Sequence, residues 1–265
     1  MTRNKNQNHG VPKTHPRYLS LKFRHKIIDG MKNLVVAEAG LIAHGRGECF
    51  DYIIGEKTTK TARKAIKAAV AALLIAKKPV ISVNGNAAAL VPEDLVKLSK
   101  LLKIPLEINI FYFKEGRIKA IKNILEKAGA TDIKGTNENK MIELEGLESN
   151  RRKVDYIAKA DVVMVPLEDG DRTEALKKLN KKVIAIDLNP VSRTALWADI
   201  TIVDNITRAI PEMIECAMEL QRLDKGELVE ILNKFDNISN IKATLDLIIN
   251  YIENQKEEAF KILKK

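Results

Sequence analysis

Two hydrophobic rhythms alternate along the chain. From Pro16 to Val36 the apolar residues Leu19, Phe23, Ile27 and Met31 recur every fourth position, the spacing of one helix face. Glu38–Gly55 breaks that rhythm. Its AHGRGECFDYIIGE segment is expected to be a glycine-containing loop leading into a short amphipathic piece. Thr59–Ala76 is Ala-rich and predicts a helix that Lys77-Lys78-Pro79 ends. Short continuous apolar runs then take over at Pro79–Val83, Pro105–Phe113, Val162–Leu167, Val183–Leu188 and Ile200–Val203. Runs this short and rich in Val and Ile read as parallel strands buried on both faces.

Helical patterns separate the runs at Pro92–Lys103 and Gly116–Ala128, and Arg151–Ala160 is a further expected helix. Glycine, Asn and Asp mark a connection at Gly135–Asn139. After Asn205 the pattern is helical to the end, over Thr207–Leu223, Lys225–Phe235 and Ile241–Leu263, with a break at Asp236–Asn240. This alternation predicts an α/β fold with about five mostly parallel strands flanked by helices, and helical segments at both ends. The expected organisation is a disordered tail over residues 1–14, an N-terminal helical segment with a substrate loop over 15–78, and a sheet core over 79–206. C-terminal helices over 207–265 complete one integrated domain.

Composition narrows the function. The chain has 265 residues, enough for a large core. No apolar run approaches the roughly 20 residues of a membrane helix. The N-terminal MTRNKNQNHGVPKTHPRY lacks the apolar stretch of a signal peptide, so a cytoplasmic location and no membrane partner are expected. The formal net charge of +10 suits anionic small molecules as well as nucleic acid. Its lysines are spread through helices among glutamates, and the few aromatics are not interleaved with arginine. No nucleic-acid partner is therefore expected. Cys49 and Cys216 lack metal-like or redox spacing and read as ordinary side chains.

Candidate chemistry lies where the strands end, because ligands of open α/β sheets bind beyond the carboxyl ends of their strands. Asn84-Gly85-Asn86 follows one strand and precedes a helix. It fits either a ligand-binding turn or an ordinary tight connection. His44-Gly45-Arg46-Gly47-Glu48 sets a basic group between glycines. An arginine there can fork onto a phosphate or carboxylate, and the loop exposes backbone N–H groups. Glu168-Asp169-Gly170-Asp171-Arg172 places three carboxylates after a strand. Asp169 is the candidate Mg²⁺ ligand, and Asp171 the candidate helix cap, with Glu174 completing the box. Asp187-Leu188-Asn189-Pro190 ends another strand with an acid suited to ribose hydroxyls, and Arg193 is within reach of a phosphate. GxGxxG and GxxxxGK[ST] are both absent, as is any nucleophile triad, so positioning and electrostatics are favoured over covalent catalysis.

HPRYLSL (His15–Leu21), AGLIAHGRGECFDYIIGE (Ala39–Glu56), ISVNGNAAALVP (Ile81–Pro92), LEINIFY (Leu106–Tyr112), ADVVMVPLEDGDRTEAL (Ala160–Leu176) and IDLNPVSRTALWADITIVDN (Ile186–Asn205) are spread over residues 15–210. In these segments the chain closely resembles the archaeal phosphopantothenate synthetases, the 4-phosphopantoate–β-alanine ligases. The resemblance implies a Rossmann-like core, a homodimer, and ATP with Mg²⁺. It implies a reaction in which ATP and (R)-4-phosphopantoate form an acyl-adenylate and pyrophosphate. β-Alanine then displaces AMP to give 4′-phosphopantothenate for coenzyme A.

By motif position, the resemblance puts the ATP contacts on Arg24, Arg46, Asp187, Leu188, Asn189, Arg193, Thr194, Asn205 and Ile206. His44, Asn84, Gly85, Asn86 and Arg172 are the residues expected to hold phosphopantoate, on the strength of charge and edge position. Arg46, His44, Arg172 and Asp169 are expected nearest the chemistry. A non-catalytic nucleotide-binding regulator on the same fold, and an adenylating ligase for another acid and amine, are the competing functions. The regulator would have no need of a second anion site beside the nucleotide edge.

Overall fold

The computed structural model describes residues 11–137, 142–143, 153–167 and 170–263. Three helices come first: α1 (Tyr18–Lys32), α2 (Glu38–Ile54) and α3 (Lys60–Ile75). The first half of the sheet follows as β1 (Pro79–Val83), α4 (Gly85–Leu90), α5 (Pro92–Leu102), β2 (Leu106–Ile108), α6 (Arg117–Lys127) and β3 (Ile133–Lys134). A small antiparallel ribbon pairs β4 (Ile142–Glu143) with β5 (Lys153–Val154). The second half is β6 (Val162–Pro166), α7 (Gly170–Lys178), β7 (Lys182–Ile186), α8 (Arg193–Trp197) and β8 (Ile200–Ile202). Helices α9 (Ile206–Leu220), α10 (Lys225–Asn233) and α11 (Asn237–Leu263) close the chain.

The main sheet has six parallel strands in the order β3-β2-β1-β6-β7-β8. The order reverses between β1 and β6, which register as Pro79 with Val162 through Ile81 with Met164. A crevice opens at such a reversal because the connections leave on opposite faces. Alternation within each strand feeds two cores. Ile81, Val83, Met164, Ile184 and Ile186 pack into the larger one with α3, α5 and α9. Val80, Val163, Val165, Val183 and Ala185 pack into the smaller one with Leu176 of α7 and Ala198. A strand buried on both faces needs such an unbroken apolar run.

Several expectations change. The sheet has six strands rather than about five, because β3 is only two half-buried residues and carries no readable period. Pro105–Phe113 contributes strand only over β2. The helix expected over Arg151–Ala160 is strand β5 followed by a 3₁₀ turn at Ile157–Lys159. Buried Glu107 determines this, accepting the backbone N–H groups of Asp155 (2.8 Å) and Ile157 (2.7 Å). The loop expected over Glu38–Gly55 is the 17-residue helix α2, so its backbone N–H groups serve the helix rather than a ligand. The break expected at Asp236–Asn240 is shorter, since α11 begins at Asn237. Residues 1–10 of the expected tail and the end of the Gly135–Asn139 connection lie outside the described residues. No helix among the described residues is long and apolar enough to cross a membrane.

Candidate functional site

The connections after the strands build the site. Asn84 caps α4, its Oδ1 accepting the Ala87 N–H at 3.0 Å. Its Nδ2 reaches across the reversal to donate to the carbonyls of Pro166 (3.1 Å) and Leu167 (2.9 Å). One amide thus ties the ends of β1 and β6 at the mouth of the crevice. Gly85 lets the backbone close behind it, since a Cβ there would stand 2.1 Å from the Val35 carbonyl oxygen. Asn86 Nδ2 donates to Gly40 O at 2.8 Å, which docks α2 onto the start of α4.

A cleft of about 330 Å³ results. His44 and Arg46 enter it from α2, Asn84, Gly85 and Asn86 from the end of β1, and Leu188, Asn205 and Ile206 from the ends of β7 and β8. Eight of the residues expected to bind ligand therefore share one cavity, although they come from four separate stretches of sequence.

The other expected residues are not among those lining the cleft. Asp187 accepts the Asn189 N–H at 2.9 Å and the Ser192 hydroxyl, so its turn is preformed. Burial pushes the Asp187 carboxyl up, against the pull of these bonds and of the Arg46 guanidinium. Ser192 also caps α8 through the Ala195 N–H (2.9 Å), and Thr194 in that helix is buried. Arg193 lies over the start of α7, paired with Asp171 (2.6 Å) and Glu174 (2.5 Å). Gly170 leaves room for it, since a Cβ there would meet Arg193 Cβ at 2.5 Å.

Asp171 consequently stands inside α7, pairing with Arg193, rather than capping the helix. Arg24 on α1 pairs with Glu48 of α2 at 2.9 Å. Arg172 is buried and is not among the residues lining the cleft, with Nη1 donating to Asn109 Oδ1 at 3.0 Å. Asp169 and Glu168 lie outside the described residues. Among the described residues no group of three or more His, Cys, Asp or Glu is arranged to hold a metal ion. The Cys216 thiol is pushed up to about 11 by burial, which fits an inert side chain.

Sequence reasoning missed two parts of the site. Phe111 and Tyr112, edge to face with centroids 4.6 Å apart, line the cleft together with Arg117. Arg117 is anchored by the carbonyls of Leu34 (3.3 Å) and Tyr112. The second part is a buried network behind Asn205. Arg208 forks onto Asp51 of α2 (2.6 and 3.1 Å) and onto Asp204 (2.6 and 2.9 Å). Asn205 Nδ2 donates to the same Asp51 at 2.8 Å, and Thr58 Oγ1 donates to Asp204 at 2.6 Å. Burial raises the Asp204 carboxyl while Arg208 pulls it back. The network fastens α2, with His44 and Arg46, to the end of β8. Its members are spread over Asp51 to Arg208, and no local pattern marks them.

The chain is thus an α/β protein, a doubly wound parallel sheet with an arginine-bearing cleft at its reversal, the place where open α/β sheets take their ligands. Residues 61–251 match the phosphopantothenate/pantothenate synthetase family, and the chain belongs to it. It is 56% identical over 238 residues to a 4-phosphopantoate–beta-alanine ligase of Thermococcus onnurineus, covering 89% of this chain and 90% of that protein. The Thermococcus kodakarensis protein of the same name is 52% identical over 251 residues, covering 94% and 95%. That of Methanosarcina mazei is 44% identical over 250 residues, covering 94% and 98%.

Proposed function

We propose that the protein is an ATP-dependent ligase that joins (R)-4-phosphopantoate to β-alanine through an acyl-adenylate, giving 4′-phosphopantothenate, AMP and pyrophosphate on the route to coenzyme A. The observation that carries this reading is the nearly full-length identity to relatives that bear that enzyme's name. Those names do not favour a non-catalytic nucleotide-binding protein.

The cleft's chemistry is consistent with the reading. Both first substrates are anions. Their approach requires charge compensation before the pantoate carboxylate attacks the α-phosphorus and pyrophosphate leaves. Arg46 stands on the cleft wall, Arg24 is paired with the cleft residue Glu48, and Arg193 follows the Asp187 turn; these three are assigned to the nucleotide phosphates. Asp187-Leu188-Asn189, Thr194 and Asn205-Ile206 form the ribose and adenine edge. Asn84 holds the turn with its own amide, so that Gly85 and Asn86 present backbone N–H groups at the start of α4 to phosphopantoate, with His44 on the adjoining wall and Arg172 assigned to the same anion by its charge. Mg²⁺ would accompany the ATP phosphates and add positive charge there. Asp169 is its candidate protein contact.

A cytoplasmic location and a homodimer complete the proposal. Exposed Leu247, Ile249 and Ile252 on α11 offer apolar surface for the subunit contact.

The test is AMP and pyrophosphate release with each substrate omitted in turn. Full turnover only with ATP, 4-phosphopantoate and β-alanine, with phosphopantothenate identified by mass, supports the ligase. Equal turnover with pantoate would remove the phosphate from the recognition scheme.

A further inference from the structure

A second cavity, of about 570 Å³, lies between α1, α2 and the start of α9. It shares His44, Glu48 and Asn205 with the cleft at the sheet reversal, so these residues form a wall common to both spaces. His44, Glu48 and Asp51 follow the i, i+4, i+7 spacing of one helix face. The ligase reaction forms its second bond between an acyl carbon and an amine that arrives last. If acid and nucleotide occupy the first cleft, a group that acts on the incoming amine must face both spaces.

Of the three shared residues, two are committed. Glu48 accepts from Ser20 Oγ (2.8 Å) and Arg24 Nη2 (2.9 Å). Asn205 holds the Thr207 N–H at 3.1 Å and donates to Asp51. His44 keeps Nε2 buried with no hydrogen-bond partner. Burial holds its imidazole below the ordinary 6.5, against the opposite pull of Glu48, and Arg24 of α1 adds to the lowering. On the side of the second cavity the other charged groups are Asp51 and Arg208, bound to each other, Arg17 and Glu56, also paired, and Lys13; Arg46 and Arg117 face the first cleft. A neutral imidazole at neutral pH can accept a proton.

The charges of the second cavity suit a zwitterion. Arg17 lies 4.1 Å over the Tyr52 ring, with Ser20 Oγ at 2.8 Å and Glu56 at 3.3 Å. A guanidinium stacked and held by Nη2 in this way leaves the in-plane N–H groups of Nε and Nη1 to meet a carboxylate edge-on.

We propose that the second cavity holds the amine substrate, an ω-amino acid whose carboxylate faces Arg17, and that His44 Nε2 takes the ammonium proton at the shared wall. This rests on the ligase reading. The ammonium gives one proton to His44, and the freed nitrogen pair attacks the acyl carbon. The bond from that carbon to the AMP oxygen then breaks. AMP leaves with the electron pair, and the remaining surplus proton on nitrogen passes to water.

The experiment separates this inference from the reading beneath it. ATP–pyrophosphate exchange by the wild-type protein with 4-phosphopantoate alone reports the adenylate, and its absence overturns the ligase reading itself. Where exchange is present, wild-type and His44→Gln proteins are offered β-alanine or hydroxylamine, an amine already neutral at pH 7. The expected result is that the hydroxamate-to-amide ratio rises about 100-fold in His44→Gln, as for loss of a general base. The acid limb of the wild-type pH profile for β-alanine should also disappear. An unchanged ratio overturns the role of His44. Arg17→Gln should raise the β-alanine KM about 10-fold with hydroxylamine trapping retained. An unmoved KM, or an equal rise in the ATP KM, overturns the cavity assignment even if His44→Gln does not fold.

Discussion

Helices α2 and α3 follow one another in the chain, are 17 and 16 residues long, and use small side chains to opposite ends. α3 buries ten of its residues, and its alanines bring it close to β8, α9 and α10. α2 fully buries only Asp51 and Ile54, and its Ala39, Gly40, Ala43 and Gly47 line the cleft. Small residues on α3 let protein pack against protein. On α2, Ala39, Ala43 and Gly47 border space that protein does not fill, while Gly40 admits Asn86. The small residues are mostly Ala on α3 and are divided between Ala and Gly on α2, and what each of them faces is decided by elements far away in sequence.

The largest expected difference is chemical. Arg46→Ala on α2 should lower adenylate formation by about 100- to 1000-fold, the usual loss for one well-placed charge-stabilising donor, with thermal unfolding little changed. Ala69→Leu on α3 should do the reverse. Ala69 is wholly buried, and overpacking costs about 1–3 kcal/mol in denaturant unfolding with activity per folded molecule preserved. A loss of rate without loss of stability in Ala69→Leu would erase the contrast.

The contrast was only half legible in the sequence. The five strand runs and the polar residues ending them were readable, because a buried parallel strand must be apolar throughout and its end must turn. α2 was not. His44-Gly45-Arg46-Gly47 looks like a loop by intrinsic propensity, and only docking through Asn86, Leu188 and the Asp51 network makes it helical. Arg117 and the Phe111-Tyr112 pair were equally hidden, since their place on the wall depends on where α6 and α4 meet.

Smaller effects sharpen the picture. Asp51→Asn should cost about 1–2 kcal/mol, because Arg208 would keep one carboxylate and lose a charged hydrogen-bond partner. The same change should raise the ATP KM more than the β-alanine KM, since it frees α2 from the Asn205 edge. Gly45→Ala should stabilise by about 0.5–1 kcal/mol, because a Cβ there meets nothing within 4 Å and Gly is costly inside a helix. Destabilisation by Gly45→Ala would mean that the residue faces something other than open space.

The smallest effect is a pH slope. Burial lowers the His44 pKa, so the folded protein binds fewer protons than the unfolded chain just below 6.5. This contribution to stability is complete above 6.5 and is lost as pH falls through the lowered folded value. Unfolding free energies measured through that window should slope less in His44→Gln than in wild type.

His44, Glu48 and Asn205 belong to a partition with a room on either side. Any substitution among them reshapes two rooms together. The ligand preferences of the two spaces are therefore heritable as a pair. A descendant that altered one preference through the partition would alter the other with it. Independent change has to begin at the outer walls, at Arg17 and Tyr18 on one side or Phe111 and Tyr112 on the other.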